Sequence, residues 1–303
     1  MRVPNIQFMA MRKVVAVFSV LLIAISLGSL VTKGLEFGLD FTGGTLVEVA
    51  YDVAPNLDDV RRSLANHGYD DVVVQNFGSS TDVVVRLANV FTPTLGDEVL
   101  LVLQADNSGV ELMRSEFVGA QVGEELREQG GLGMLLALAI VMMYVAVRFQ
   151  FKFSLASVAA LGHDVIITLG VFSVLGMEFD LTVLAALLAV VGYSLNDTIV
   201  VCDRIRENFR IMRETEPVEL INESINQTLG RTLITSLTTI FTLLVLFFFG
   251  GEAIHSFAFA LLVGVVIGTY SSVFVAANLL IAQNISRDDL IPPPKEEFED
   301  DLP

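Results

Sequence analysis

Six apolar runs, each near the length that crosses a bilayer, decide what this chain can fold into. They occupy residues 14–32, 131–149, 154–176, 181–202, 231–250 and 254–282. A helix needs about 20 apolar residues to cover roughly 30 Å of hydrocarbon, so the pattern predicts an α-helical polytopic membrane protein with six transmembrane helices. Composition agrees: 53% of residues are hydrophobic, 17% are charged and the mean hydropathy is +0.66, values that soluble domains seldom reach. The first run follows Arg2, Arg12 and Lys13 and is 19 residues long. A cleaved signal peptide has a core of only about 7–15 residues, so the run reads as a retained helix, although Ser26-Leu-Gly28 resembles a weak cleavage site.

Six spans place both termini on one side, and the distribution of basic residues says which. With residues 1–13 in the cytoplasm, 12 of the 18 Lys and Arg fall inside, in the N-terminus, at Arg148 and Lys152, in the loop 203–230, at Arg231 and in the tail 283–303. The two short outer turns carry only Glu178, Asp180 and Glu252. Under the positive-inside rule this asymmetry predicts cytoplasmic termini. The net charge of −17 collects in residues 36–128 and in the tail, whose Pro292-Pro-Pro294 and acidic run predict disorder.

Residues 33–130 differ in kind. They are polar and acidic, and they show strand and helix signals in order. Residues 46–51 alternate with period two. Leu57, Val60 and Leu64 have helical spacing ahead of Gly68. Residues 72–77 and 82–87 flank Gly78-Ser-Ser-Thr81 as a hairpin. A helix over 94–104 and a strand over 110–118 follow. The order β-α-β-β-α-β is the ferredoxin-like pattern, so a small periplasmic α+β domain is expected between the first and second helices.

Ionisable residues inside the apolar runs are the candidates for function, because an aspartate facing hydrocarbon costs roughly 2.5–3.5 kcal/mol on insertion scales. His163 and Asp164 lie ten residues into the third run, close to the midplane at about 1.5 Å per residue. Asp197 lies in Tyr193-Ser-Leu-Asn-Asp-Thr198 near the cytoplasmic end of the fourth run. Arg231 opens the fifth run at a compatible depth, followed by Thr232, Thr235, Ser236, Thr239 and Thr242. The pair Asp197 and Arg231 suggests ion handling. A structural reading stands beside it: Asp164 held by His163 or a neighbouring helix, Arg231 a boundary anchor, and the hydroxyls serving interhelical hydrogen bonds. Gly264-Val-Val-Ile-Gly268 predicts close helix packing.

Other chemistries lack their residues. One cysteine, Cys202, excludes an internal disulfide and a multi-cysteine metal site. Asp40-Phe-Thr-Gly-Gly-Thr45 has adjacent glycines but no Gly-Lys-Ser/Thr, so it is not a Walker A loop. No basic cluster stands away from a membrane boundary to bind nucleic acid. No catalytic set, metal site or cofactor is expected, and the chain is not read as an enzyme.

Five stretches carry a resemblance. Gly38-Leu-Asp-Phe-Thr-Gly-Gly-Thr45 and Phe117-Val-Gly-Ala-Gln-Val-Gly-Glu-Glu-Leu126 resemble motifs of the bacterial SecD/SecF export proteins, which belong to the RND superfamily. Leu161-Gly-His-Asp-Val-Ile-Ile-Thr168, residues 191–208 and Gln227-Thr-Leu-Gly-Arg-Thr-Leu-Ile-Thr-Ser236 are similar to its SecF branch. Ala120 departs from the family, which commonly has proline there. The resemblance implies an RND-type half in the bacterial inner membrane that pairs with SecD and associates with SecYEG and YajC. It implies use of the proton gradient, or of sodium in some marine relatives, to draw unfolded secretory polypeptides outward. It implies that Asp197 and Arg231 are ion-pathway residues, with Asp164 and His163 as further candidates from their depth. The competing readings are an RND-type exporter half for small molecules or lipids, and a passive scaffold that would have no use for Asp197.

Overall fold

The computed structural model describes residues 6–69, 72–87, 94–212, 214–251, 254–287 and 289. Six helices in it are long and apolar enough to cross a membrane. α1 is Arg12–Thr32, entered through a 3-10 turn at Phe8–Met11; α5 is Ala120–Arg148 and α6 Phe151–Leu175. α7 is Leu181–Ile211 and α8 Pro217–Phe249. The last span is α9, His255–Tyr270, continued through a π-helical turn Ser271–Val275 into α10, Ala276–Ala282.

Small residues set how closely the spans approach. Gly264 and Gly268 of α9 lie against Val190 and Ser194 of α7, and a Cβ at Gly268 would stand 3.0 Å from Ser194 Cβ. Gly170 of α6 receives Ser26 of α1, and Ser29 and Ser173 hydroxyls meet at 2.8 Å one turn on. Lipid cannot drive helices together as water does, so close backbone approach and hydroxyl pairs supply the association.

Several helices outrun their apolar runs. α7 continues to Ile211 and α8 begins at Pro217, so most of the expected polar loop is a helical hairpin. Ile205, Phe209, Leu220, Ile221 and Ile225 form its core, with Phe8 and Met9 packed in. Hydropathy averaged over a span hides this amphipathic extension, because charged residues occupy its other face. Asn222 and Asn226, one turn apart, bind the backbone of the N-terminal segment: Asn226 Nδ2 donates to Ile6 O at 2.8 Å, and Met9 N donates to Asn222 Oδ1 at 3.1 Å.

The α+β domain has the expected order. Its strands are β2 (Gly44–Tyr51), β3 (Val72–Phe77), β4 (Ser79–Leu87) and β5 (Val110–Val118), with helices α3 (Leu57–Asn66) and α4 (Leu95–Asp106). The sheet order β3-β4-β2-β5 is antiparallel throughout, which is the ferredoxin-like arrangement. Val47, Val49, Val83, Val85, Leu64 and Val99 lie in its core. Asn56 caps α3 by accepting from Asp58 N at 3.0 Å. The hairpin is tighter than the sequence suggested. Phe77 pairs with Ser79 around Gly78 alone, at φ +76°.

Two short elements tie this domain to the membrane helices. β1, Glu36–Phe37, pairs in parallel with β6, Glu178–Phe179, in the turn between α6 and α7. α2, Leu39–Thr42, follows, and Asp40 Oδ2 accepts from Leu181 N at 3.1 Å at the start of α7. The adjacent glycines then have a physical reason. Gly43 has φ +67° and lies against the backbone of Ala120, 2.7 Å from where its Cβ would be. Gly123 in turn lies against Gly43 N. Arg86 of β4 forms an ion pair with Glu178, closing the domain onto the same turn between α6 and α7.

Candidate functional site

α7 presents polar groups on two faces. Toward α6 and the π-helical turn it offers Ser194 and Thr198; toward α8 it offers Tyr193 and Asp197. Two buried carboxylates serve these faces and have different surroundings.

Asp164 is fully buried on α6 and saturated with donors. Oδ2 accepts from Ser194 Oγ at 2.5 Å and from Ser271 Oγ at 2.7 Å. Oδ1 is 2.8 Å from His163 Nδ1. The imidazole stacks on Tyr270, with ring centroids 6.1 Å apart. Tyr270 Oη donates to Val15 O at 3.1 Å and meets Ser19 Oγ at 2.8 Å. The cluster thus joins α1, α6, α7 and α9. His163 Nε2 is buried with no partner among the described residues. The π-helical turn supplies the serines. Ser272 donates to Gly268 O at 2.8 Å, competing with the backbone ladder, while Ser271 Oγ lies 3.1 Å from the same carbonyl with its proton directed to Asp164. Ser272 Oγ also meets Thr198 Oγ1 at 2.8 Å. Turns of this kind concentrate at functional sites.

Asp197 is the opposite case. It is 3% exposed, and the groups of α8 that act on it are Thr232 and the Arg231 guanidinium. Thr232 approaches as a hydrogen-bonding neighbour, but among the described residues neither Asp197 Oδ2 nor Thr232 Oγ1 closes a bond of good geometry, and Arg231 acts through its charge with no ion pair formed. Arg231 is exposed, and so is Asn196 beside Asp197. The structure therefore brings Arg231 near Asp197 without joining them, and it holds Asp164 and His163 together in a separate cluster.

The hydroxyls of α8 divide. Thr232 and Ser236 face inward and are buried. Thr235, Thr238 and Thr242 are exposed and donate back to carbonyls one turn earlier, those of Arg231, Ile234 and Thr238. Tyr193, Ser194, Ser271 and Thr269 were not singled out by the sequence. Serine and threonine are common in packed spans, and spacing within one helix does not show which neighbour they meet. Among the described residues no group of His, Cys, Asp and Glu could hold a metal ion.

Fold and site together define a multi-pass membrane protein with ionisable groups buried between its helices and a small domain closed onto one end. The family described as protein export membrane protein SecD/SecF, C-terminal, matches residues 100–285, and the SecD/SecF GG motif matches residues 28–54. The chain belongs to the SecD/SecF family of protein export membrane proteins. Among its relatives is the protein translocase subunit SecF of Pseudomonas aeruginosa, 51% identical over 100% of this chain and 99% of the relative. That of Vibrio alginolyticus is 52% identical over 96% and 94%. A crystal structure of SecDF, a translocon-associated membrane protein from Thermus thermophilus, superposes with TM-score 0.86 at 39% identity. It covers 93% of this chain, which spans only 39% of that one. SecDF in a super-membrane-facing form superposes at 0.70 over the same shares.

Proposed function

We propose that this chain is the SecF-type subunit of a protein-export machine, working beside a SecD-type half in the inner membrane and using the proton motive force to promote movement of secreted chains through SecYEG, with YajC as a further associate. The observation that carries the reading is Asp197, a buried carboxylate within an apolar span, its Oδ2 closing no hydrogen bond among the described residues, set beside Thr232 and the Arg231 guanidinium. A passive scaffold has no use for such a group. The relatives are named as translocase subunits, which favours export over a small-molecule exporter half. Asn196 and Arg231 support a partner half. Both are exposed on helices long and apolar enough to cross a membrane, and covering them with a second set of helices would remove the cost of facing lipid. The termini and the α7–α8 hairpin lie in the cytoplasm and the α+β domain in the periplasm.

Asp197 and Arg231 form the exchange site, with Asp164 and His163 as the inner part of the pathway. When the guanidinium closes on Asp197 the ionised carboxylate is favoured; when the helices part, or the site dries, the neutral acid is favoured. Two packings with different proton affinity are a bistable element that a proton biases. Each charge crossing the membrane supplies about 2.3 kcal/mol per 100 mV, enough for a shift of more than about tenfold. The test is translocation of a secreted substrate in membrane vesicles with and without a proton gradient. Asp197→Asn should assemble normally and lose the gradient-dependent stimulation. Stimulation equal to wild type would reduce Asp197 to a structural contact.

A further inference from the structure

Tyr193 precedes Asp197 by one helical turn on α7, so both side chains leave the same face of that helix. The Tyr193 hydroxyl donates to Ser236 Oγ of α8 at 3.3 Å. Ser236 Oγ is 2.7 Å from Thr269 Oγ1 of α9, and Thr269 Oγ1 donates to Val265 O at 2.7 Å. The last bond fixes the direction of the others. Thr269 gives its proton to a backbone carbonyl, Ser236 gives to Thr269, and Tyr193 gives to Ser236. One ordered chain of donors thus crosses three helices. Ser236 follows Thr232 by one turn on α8, just as Tyr193 precedes Asp197 on α7. Because α7 and α8 run in opposite directions, both steps lead toward the outer side. The bonded layer Tyr193–Ser236–Thr269 therefore covers the layer of Asp197 and Thr232, in which Oδ2 and Oγ1 close no hydrogen bond of good geometry among the described residues.

We propose that Tyr193 is a positioning residue for the proton step at Asp197: through Ser236 and Thr269 its hydroxyl latches α7, α8 and α9 in the packing that shuts Asp197 off from the outer side. The proposal rests on Asp197 being the exchange site. Release of the Tyr193–Ser236 bond frees α8 to move away from α7 and opens Asp197 outward. The phenol suits this role because its ring fills the space between helices while a single polar atom at its tip makes and breaks the contact.

The test uses native-membrane vesicles containing the full chain with its partner half, and it reads two quantities. One is proton flux under an imposed gradient without secretory substrate; the other is gradient-stimulated export. Tyr193→Phe keeps the ring and removes the donor; Ser236→Ala breaks the same chain at its middle. Each should raise substrate-free proton flux severalfold and lower gradient-stimulated export. Adding Asp197→Asn to Tyr193→Phe should return the flux to the wild-type level, which a loosened fold would not do. Wild-type flux and export in Tyr193→Phe, alongside loss of stimulation in Asp197→Asn, would overturn the positioning role and leave the exchange site standing. Undiminished stimulation in Asp197→Asn would overturn both.

Discussion

Asp164 and Asp197 show how far surroundings, rather than residue type, decide what a buried carboxylate does. Asp164 has a donor for each of its oxygens and two for Oδ2. Replacing one carboxylate oxygen by an amide NH2 sets a donor against hydroxyls that themselves donate, and leaving such groups unsatisfied costs about 1–3 kcal/mol. Asp164→Asn should therefore lower the thermal midpoint of the detergent-purified protein, while Asp197→Asn, whose Oδ2 closes no bond of good geometry among the described residues, should lower it less. The reverse order would mean that the two roles are exchanged. Export then separates holding from transport: if Asp164→Asn inserts and binds its partner but exports poorly, Asp164 belongs to the pathway. At Arg231, lysine keeps the charge and loses the planar fork, so Arg231→Lys should export less than wild type and Arg231→Ala less again. Export by Arg231→Lys equal to wild type would show that the planar geometry at this position is irrelevant. The sequence exposed Asp197, Arg231 and Asp164 because charge inside an apolar run is conspicuous. It did not expose Ser194 or Ser271, whose importance comes from two helices meeting.

At the scale of elements, the glycines make the sharpest prediction. Gly43 combines a positive φ with backbone in the way of any Cβ, and Gly264 is filled by Val190. Gly43→Ala and Gly264→Leu should each destabilise the protein by about 1–3 kcal/mol, read as a lower thermal midpoint, whereas Gly131→Ala, with nothing near its Cβ position, should not. The contact of the α+β domain with the outer turn should also depend on pH. Burial raises the Glu178 carboxyl above the ordinary glutamate range, against the opposing pull of Arg86. The folded state thus holds this proton more tightly than the unfolded state does. The stability it contributes is complete below the ordinary value and is lost as pH rises through the raised one. The wild-type midpoint should fall relative to Glu178→Gln across that window; a constant difference would show that the site does not titrate. Strands and helices of the domain were legible from period-two and helical spacing. The β1–β6 pairing was not, because two residues carry no periodicity, and the π-helical turn was not, because its cause is a hydroxyl competing for a backbone carbonyl.

For the whole molecule, six spans and one ferredoxin-like domain were readable because each is written in local pattern. How the bundle extends beyond the membrane was not, since the amphipathic α7–α8 hairpin looks like a polar loop to any average over a span. The proposed orientation is open to a direct check. With Cys202 buried, a cysteine at Ser79 should react with membrane-impermeant reagent from the periplasm, and one at Arg210 should be protected in intact spheroplasts. Labelling at position 210 but not at 79 would invert the molecule and remove the functional reading with it.

The contact of Gly43 with Ala120 joins the strand that enters the α+β domain to the helix that leaves it. Two independent tethers would let the domain stretch or twist between them. Joined tethers hold it at one place, Asp40 fastens that place to the first turn of α7, and Arg86 of β4 adds a second hold on Glu178 of the same turn. A tilt of the helix bearing Asp197 would therefore be carried into the domain as a rigid unit and not absorbed in its linkers.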